Sequence, residues 1–177
     1  MDAMLVVDMQ VGLLNGEPKH DLRGVMDRIN RLAAKVREKS GKVIFVQHCS
    51  CKGDDFEPQT PGWEFLPELV RDPSDVVVQK NLNDPFAGTC LQARLEEIAP
   101  DRVLITGWAT DFCVDATVRS AVTNHHNVVV VADGHTLSDR PISTQSASFG
   151  IITGFGAILL LNGLSNSLVR ANYCFDL

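Results

Sequence analysis

Three side chains with complementary chemistry each follow a short apolar run of the sequence. Asp8 follows "AMLVV", Lys80 ends "VVVQK", and Cys113 lies a few residues past "RVLIT". A thiol is a nucleophile, a carboxylate takes its proton and returns it to a leaving group, and an ammonium stabilises the thiolate. Together the three residues indicate hydrolysis through a covalent cysteine intermediate.

Cys113 lies near the start of a predicted helix at 112–123. The free N–H groups and the dipole at a helix N-terminus favour a thiolate, and a neighbouring lysine lowers the thiol pKa further. We therefore expect a low pKa and a reactive thiol. The main-chain amides of Ala109 and Cys113 are candidates for an oxyanion hole, so that one turn would supply both the nucleophile and its electrostatic partner.

Each of the three residues also has an ordinary structural explanation when it is taken alone. An aspartate after a strand is often a turn residue or a helix cap. A lysine at the end of a strand is usually a solvated charge, and a cysteine in an apolar helix usually packs in the core. The functional interpretation therefore depends on the three residues being brought together by the fold.

The elements around these residues alternate between apolar strands and amphipathic helices. Strands are predicted at 3–7, 42–47, 76–79, 102–106 and 128–132, and helices at 21–39, 89–99 and 112–123. Continuous Val, Ile and Leu runs are typical of parallel strands buried on both faces. The pattern predicts a doubly wound α/β fold: a mainly parallel sheet of about five or six strands in a three-layer α/β/α arrangement. In such sheets the ligand lies outside the carboxyl ends of the strands.

Several longer stretches resemble the isochorismatase-like cysteine hydrolases, a family that includes nicotinamidases and carbamoyl-amide hydrolases. The matching stretches, in chain order, are "LVVDMQVGLL", "KVIFVQH", "VVVQKNLNDPFAGTCLQARL", "VLITGWATDFCVDATVRSA" and "NVVVVADGHTLSD". The resemblance covers about residues 3–141 and implies a Rossmann-like fold in a single domain, 1–177. It also implies a catalytic triad of Asp8, Lys80 and Cys113, and a cis peptide bond between Trp108 and Ala109.

The resemblance implies cleavage of a C–N bond in a small amide through a Cys113 thioester, with Asp8 protonating the departing amine. We expect the substrate pocket to be lined by loop residues, because the triad residues lie at strand ends. The predicted substrate-binding residues are Gln10, Leu13, His48, Trp63, Asn83, Phe86 and Trp108. His135 is either a support of the site or the partner in a structural hydrogen bond.

A metal site is not predicted. Metal-dependent nicotinamidases carry an Asp-x-His after the second strand, whereas "VQHCSCKGDDFEP" has His48 without a second histidine at ligand spacing. Cys49, Cys51, Asp54 and Asp55 lie nearby, but a polar loop is the simpler interpretation. The expected enzyme uses no metal and no other cofactor.

Composition limits the partners and the compartment. The net charge of −6 argues against nucleic acid, which usually requires a basic face. Five cysteines without a CxxC pair, and no secretory signal at the start of the sequence, favour a cytoplasmic protein with free thiols. The resemblance implies a homodimer or a higher homo-oligomer, with a small-molecule amide as the partner and no membrane.

The segment 142–177 departs from the rest of the chain, since only Arg170 and Asp176 are charged there. Its apolar stretch 149–164 is too short and too interrupted by glycine to predict a membrane span. We hypothesise that this tail is a frameshifted form of the family's usual end, because a one-nucleotide shift with permitted codons yields an HHNW-like run.

Three other functions remain open from the sequence. Isochorismatase-type hydrolysis of a vinyl ether would use the acid and not the thiol, so the natural cysteine weighs against it. A non-catalytic binding protein could retain the same fold. A nucleotide-binding domain is disfavoured because no GxGxxG follows the first strand.

Overall fold

The computed structural model describes residues 1–138, which form a five-stranded sheet with helices on both faces. The strands are β1 (Asp2–Val7), β2 (Lys42–His48), β3 (Val76–Lys80), β4 (Arg102–Trp108) and β5 (Val128–Thr136). The helices are α1 (Val11–Leu14), α2 (Leu22–Glu38), α3 (Leu91–Ile98) and α4 (Asp115–Thr123). The strand order is β3-β2-β1-β4-β5 and every neighbouring pair is parallel. The predicted doubly wound parallel α/β fold is therefore confirmed.

Two apolar layers lie on opposite faces of the sheet. Met4 and Val6 of β1 belong to the layer that includes the buried residues of α2. Leu5 and Val7 belong to the layer that includes buried residues of α3 and α4. Successive side chains of a strand point to opposite faces, so a strand between two helical layers has to be apolar throughout. This explains the continuous apolar runs of the sequence.

The ends of the helices follow local signals in the sequence. Asp21 precedes α2 in a left-handed conformation with φ 43°, and Ala99 ends α3 with φ 46° immediately before Pro100. Proline cannot continue the helix because its ring clashes with a carbonyl of the preceding turn and it lacks an N–H. The predicted bounds of both helices are therefore close to the observed ones.

Two differences from the prediction lie next to the carboxyl edge of the sheet. Strand β5 continues to Thr136, past the predicted end at 132, after a register shift against β4 between Ile105 and Gly107. A five-residue π-helical turn, Thr110–Val114, precedes α4 where a simple α-helix start was predicted. Such turns are rare and are found frequently at functional sites.

The long segment between β2 and β3 returns to the first strand end. Main-chain hydrogen bonds join Leu66 N to Met9 O (3.0 Å), Val11 N to Glu64 O (2.9 Å) and Gly12 N to Gly62 O (2.8 Å). The segment following His48 is thereby fixed beside the carboxyl end of β1. It forms a wall at the edge of the sheet where the ligand was expected.

Among residues 1–138, none of the helices has the length and apolar character needed to cross a membrane. The atypical tail 142–177 lies outside the described residues. The frameshift hypothesis therefore stays a prediction, and the nucleotide sequence of the gene decides it.

Candidate active site

The three predicted catalytic residues are brought together at the carboxyl edge of the sheet. Asp8 directly follows β1, Lys80 is the last residue of β3, and Cys113 lies in the π-helical turn after β4. Lys80 Nζ is 2.7 Å from Asp8 Oδ2 and 3.3 Å from Cys113 Sγ. One ammonium group therefore contacts both the carboxylate and the thiol.

Lys80 is held in this position by two further acceptors. Its Nζ donates to the main-chain oxygens of Leu82 (3.1 Å) and Asn83 (3.4 Å), in the loop that follows β3. The lysine and aspartate side chains are 0% and 1% exposed. Buried charges are tolerated only when they are paired and hydrogen-bonded, and this ammonium meets both conditions.

Asp8 occupies a conformation that is uncommon for a residue with a side chain. Its φ is 52°, in the left-handed region, and its N–H donates to Val46 O of the neighbouring strand at 3.0 Å. Such strained residues cluster at functional sites. The second carboxylate oxygen, Oδ1, is buried and accepts no hydrogen bond of standard geometry from residues 1–138. The Cys113 thiol is nevertheless close enough to interact with the Asp8 carboxylate, so a proton can pass between the two groups.

Burial dominates the protonation of the acid and the thiol. It raises the pKa of the Asp8 carboxyl above its usual value, and the Lys80 ammonium partly offsets that rise. Burial also raises the pKa of the Cys113 thiol to about 12, with a further increase from the Asp8 charge and a decrease from Lys80. The expected low pKa of Cys113 is therefore wrong for the unliganded protein. The sequence shows the turn and the lysine, but it does not show how completely the thiol is buried.

The turn that carries Cys113 begins at an unusual piece of backbone. The peptide bond between Trp108 and Ala109 is cis, and Ala109 O accepts hydrogen bonds from the N–H groups of Phe112 (3.0 Å) and Val114 (3.1 Å). At the other end, Thr117 Oγ1 donates to Cys113 O at 2.6 Å. The backbone around Cys113 is thus fixed from both sides by local hydrogen bonds.

Gly107 is required just before this turn. Its φ is +121°, and a Cβ there would lie 2.1 Å from Val7 O of β1. A larger residue would both strain the backbone and displace β1, which ends at Val7 just before Asp8. The glycine therefore lets β4 approach β1 closely, next to the strand ends that are followed by Asp8 and by the turn containing Cys113.

Thr110 and His135 form a buried hydrogen bond that the sequence only partly indicated. Thr110 Oγ1 lies 2.8 Å from His135 Nδ1 and donates to Thr136 O at 3.1 Å. The Thr110 hydroxyl has a single hydrogen, which it donates to Thr136 O. His135 Nδ1 therefore carries the proton that it donates to Thr110 Oγ1. Burial lowers the pKa of His135 to about 4, which keeps the ring neutral. His135 therefore attaches β5 to the start of the nucleophile turn.

Two of the predicted substrate-binding residues lie beside the triad. Asn83 Oδ1 is 3.9 Å from Cys113 Sγ. His48 ends β2 and is partly exposed, and its ring meets Phe56 edge-on with centroids 5.8 Å apart. Burial lowers the pKa of His48, while its charge interactions with Asp8 and Lys80 act in opposite directions. Asn83 therefore lies beside Cys113, and His48 lies close enough to Asp8 and Lys80 to interact with their charges.

The aromatic residues among the predicted set make contacts within the protein. Trp63 Nε1 donates to Cys49 Sγ at 3.1 Å in the wall segment. Trp108 is 8% exposed within the apolar layer of α2, and Lys19 Nζ lies 5.2 Å from its ring centroid. Phe86 packs against the opposite layer. Direct contact of these rings with a substrate stays a prediction.

The remaining predicted residues, Gln10 and Leu13, follow the Asp8 strand. Leu13 packs against the α2 layer, and Gln10 is completely buried with its amide bonded to the main chain. This arrangement favours a structural role for Gln10 over the predicted contact with substrate.

Within residues 1–138, no group of three or more His, Cys, Asp or Glu side chains could hold a metal ion. The Cys49–Asp55 stretch in particular does not gather its side chains into such a group. The groups that the described residues do bring together here are the Cys113 thiol, the Asp8 carboxylate and the Lys80 ammonium.

Known proteins resemble this chain in sequence. A family model described as the isochorismatase domain matches residues 2–161. A streptothricin hydrolase of Streptomyces noursei is 34% identical over 142 residues, which cover 80% of this chain and 51% of that protein. A ureidoacrylate amidohydrolase of Enterobacter sp. (strain 638) is 31% identical over 97 residues, which cover 54% of this chain and 42% of the relative. The chain thus spans about half the length of the curated relatives it matches.

The fold has close counterparts among solved structures. The crystal structure of an isochorismatase family protein superposes with a TM-score of 0.83 at 24% identity, covering 91% of this chain and 98% of that chain. The match of the family model extends over most of the sequence and includes all three triad positions. The chain therefore belongs to the isochorismatase family.

Proposed function

We propose that the protein is a hydrolase that cleaves a C–N bond in a small amide through a thioester on Cys113. The observation that carries the proposal is the position of the Lys80 ammonium, which contacts Asp8 Oδ2 at 2.7 Å and Cys113 Sγ at 3.3 Å. The names of two relatives, a streptothricin hydrolase and a ureidoacrylate amidohydrolase, support hydrolysis. The second name supports an amide as the substrate.

The first step transfers the thiol proton to Asp8 as sulfur attacks the carbonyl carbon. Because the resting thiol has a pKa of about 12, the thiolate forms together with the attack and not before it. Asp8 is suited to accept the proton, since burial raises its carboxyl pKa. Lys80 remains protonated and stabilises the negative charge as it moves from the carboxylate towards the sulfur.

The tetrahedral oxyanion is stabilised by the main-chain N–H groups of Ala109 and Cys113. Support for this assignment comes from the π-helical turn, because Ala109 directly precedes it and Cys113 lies within it. When the intermediate collapses, Asp8 gives its proton to the leaving nitrogen, the C–N bond breaks, and a thioester remains on Cys113.

Water completes the cycle. Asp8, again a carboxylate, takes a proton from water as the oxygen attacks the thioester carbonyl, and the proton returns to the sulfur as the carboxylic acid leaves. The triad supplies base, nucleophile and positive charge without a metal, so we propose a metal-independent reaction. The free thiols of Cys49, Cys51, Cys90 and Cys113 are consistent with the proposed cytoplasmic location. Assembly as a homodimer or a higher oligomer remains part of the proposal.

The test is a panel of small primary and substituted amides, assayed for release of ammonia or amine. We expect turnover with at least one class of amide and none after Cys113→Ala, with the fold retained. Hydrolysis of a vinyl ether that survives Cys113→Ala but not Asp8→Asn would replace the amidase proposal. No turnover in either assay would favour a binding protein that keeps the family fold.

A further inference from the structure

The amide of Gln10 holds two separate pieces of main chain at the active-site edge. Its Nε2 donates to His48 O at 3.0 Å and to Trp63 O at 2.8 Å, and its Oε1 accepts from His48 N at 2.7 Å. Both amide hydrogens are therefore used, and the residue is 0% exposed. No donor of this side chain is left for a substrate.

The strand order explains why the end of β2 needs such a support. Asp8 follows β1 and Lys80 ends β3, but β2 lies between these two strands in the sheet. His48, the last residue of β2, is paired with Lys80, and Cys49 N donates to Lys80 O at 2.7 Å. The Asp8–Lys80 ion pair is therefore formed across the end of β2, and the position of that end sets the spacing of the pair.

Gln10 is also close to Asp8 along the chain. Its N–H donates to Asp8 O at 2.9 Å, which closes a tight turn around Met9. The same residue thus contacts the main chain of the catalytic aspartate and both main-chain polar groups of the β2 end. It connects the backbone of the base to the strand beside the lysine.

We propose that Gln10 is a positioning residue: its amide fixes the end of β2 and the Trp63 segment so that Asp8 and Lys80 meet beside Cys113. The catalytic consequence rests on the proposed function, but the positioning itself does not. The predicted substrate contact of Gln10 is replaced by a role that acts through Asp8 and Lys80.

A matched control, Gln47, lies in β2. Gln47 is 3% exposed, and its Nε2 donates to the same Trp63 carbonyl at 3.0 Å. It makes no side-chain bond to His48. Gln10→Met and Gln47→Met remove buried amides of equal size and both remove a bond to Trp63 O, but only the former removes the bonds to His48 N and His48 O.

The experiment measures how fast Cys113 is alkylated by iodoacetate and by iodoacetamide, with the modified peptide followed by mass spectrometry. The two reagents are similar in size and share the same thiolate, so their rate ratio reports the charge near Sγ and not the accessibility of the thiol. We expect Gln10→Met to lower the iodoacetate-to-iodoacetamide ratio by about threefold or more, because the ammonium moves away while the Asp8 carboxylate stays. Gln47→Met should leave the ratio unchanged.

A second variant keeps the test decisive if Gln10→Met does not fold. Gln10→Glu is nearly isosteric, and burial keeps the new carboxyl group neutral. Its carbonyl oxygen can accept from His48 N, and its single O–H can replace one of the two bonds that Gln10 Nε2 donates. Its ratio should lie between those of the wild type and Gln10→Met. A wild-type ratio in a folded Gln10 variant, or an equal decrease in Gln47→Met, would overturn the proposal.

The outcome is independent of whether the protein hydrolyses amides, since alkylation needs no substrate. A decreased ratio with no amide turnover would leave the positioning role standing and remove the proposed function. Amide turnover together with an unchanged alkylation ratio in Gln10→Met would support the proposed function and remove the positioning role of Gln10.

Discussion

The Lys80 ammonium lies 2.7 Å from Asp8 Oδ2, although the strands that carry the two residues are not neighbours in the sheet. The pair is formed across the end of β2, and both side chains are buried. Because a charge without its partner is costly in this environment, the two residues have to be treated as one unit in folding as well as in the proposed reaction.

Removing only the lysine should destabilise the protein more than removing both charges. Lys80→Met leaves the Asp8 carboxylate buried and unpaired, and losing one member of such a pair typically costs about 3–5 kcal/mol. Lys80→Met combined with Asp8→Asn should recover part of that loss in free energy of unfolding, measured by urea denaturation near pH 8. Equal stability of the single and double variants would show that the pair is not coupled.

Alkylation of the unliganded protein should distinguish the observed site from the low-pKa thiol expected from the sequence. Cys51 and Cys90 are exposed, whereas Cys113 is buried with a thiol pKa of about 12. At pH 7.5, near neutrality, iodoacetamide should therefore modify the two exposed cysteines before Cys113. Peptide mapping over time measures the order, and a fastest-reacting Cys113 would contradict the neutral resting thiol.

Stability should fall in mild acid because of His135. Its pKa is about 4 in the folded protein against 6.5 as the ordinary value, so the unfolded chain binds more protons between these two pH values. The contribution of the neutral His135 ring to the free energy of unfolding is complete above pH 6.5 and is lost as the pH falls to 4. The largest loss expected from this one group is about 3 kcal/mol.

The matched variant for this prediction is His135→Asn. Its amide N–H can replace the Nδ1 proton donated to Thr110, but it does not titrate. Its stability between pH 6.5 and 4 should fall less steeply than that of the wild type, as measured by urea unfolding at each pH. Parallel curves for the two proteins would assign the acid sensitivity to other groups.

Substitution of Gly107 should disrupt the junction between β1 and β4. A Cβ there meets Val7 O at 2.1 Å in addition to adopting a φ of +121°. Gly16 also has a positive φ, +83°, but its Cβ would meet nothing within 4 Å. Gly16→Ala should therefore cost only the backbone strain, about 1–3 kcal/mol, and Gly107→Ala should cost clearly more. Equal losses in thermal unfolding would exclude the clash as the cause.

The sequence predicted the fold and the three catalytic candidates because both depend on strong local signals. Apolar runs located the strands, and in a parallel sheet all strand ends of one sense lie at one edge, which places Asp8, Lys80 and Cys113 together. The strand order, and with it the fact that the pair reaches across β2, depends on long-range packing. No local pattern in the sequence encodes it.

The sequence was less informative about environment and about residues that act indirectly. The low thiol pKa was inferred from a helix start and a lysine, but burial outweighs both effects at Cys113. Gln10 was assigned to the substrate because it follows Asp8, whereas its bonds to His48 and Trp63 join segments far apart in the chain. The stretch "VLITGWATDFCVDATVRSA" locates the turn that contains Cys113 but gives no sign of the Thr110–His135 bond.

The central claim is that amide cleavage passes through a thioester on Cys113, and acid-quenched mass spectrometry during turnover tests it most directly. With an amide that the protein hydrolyses, we predict a species heavier by the acyl group, with the added mass on the peptide that contains Cys113. Asp8→Asn should abolish the adduct, because the thiol loses the base that accepts its proton. Release of ammonia at the wild-type rate by Cys113→Ala would contradict the account.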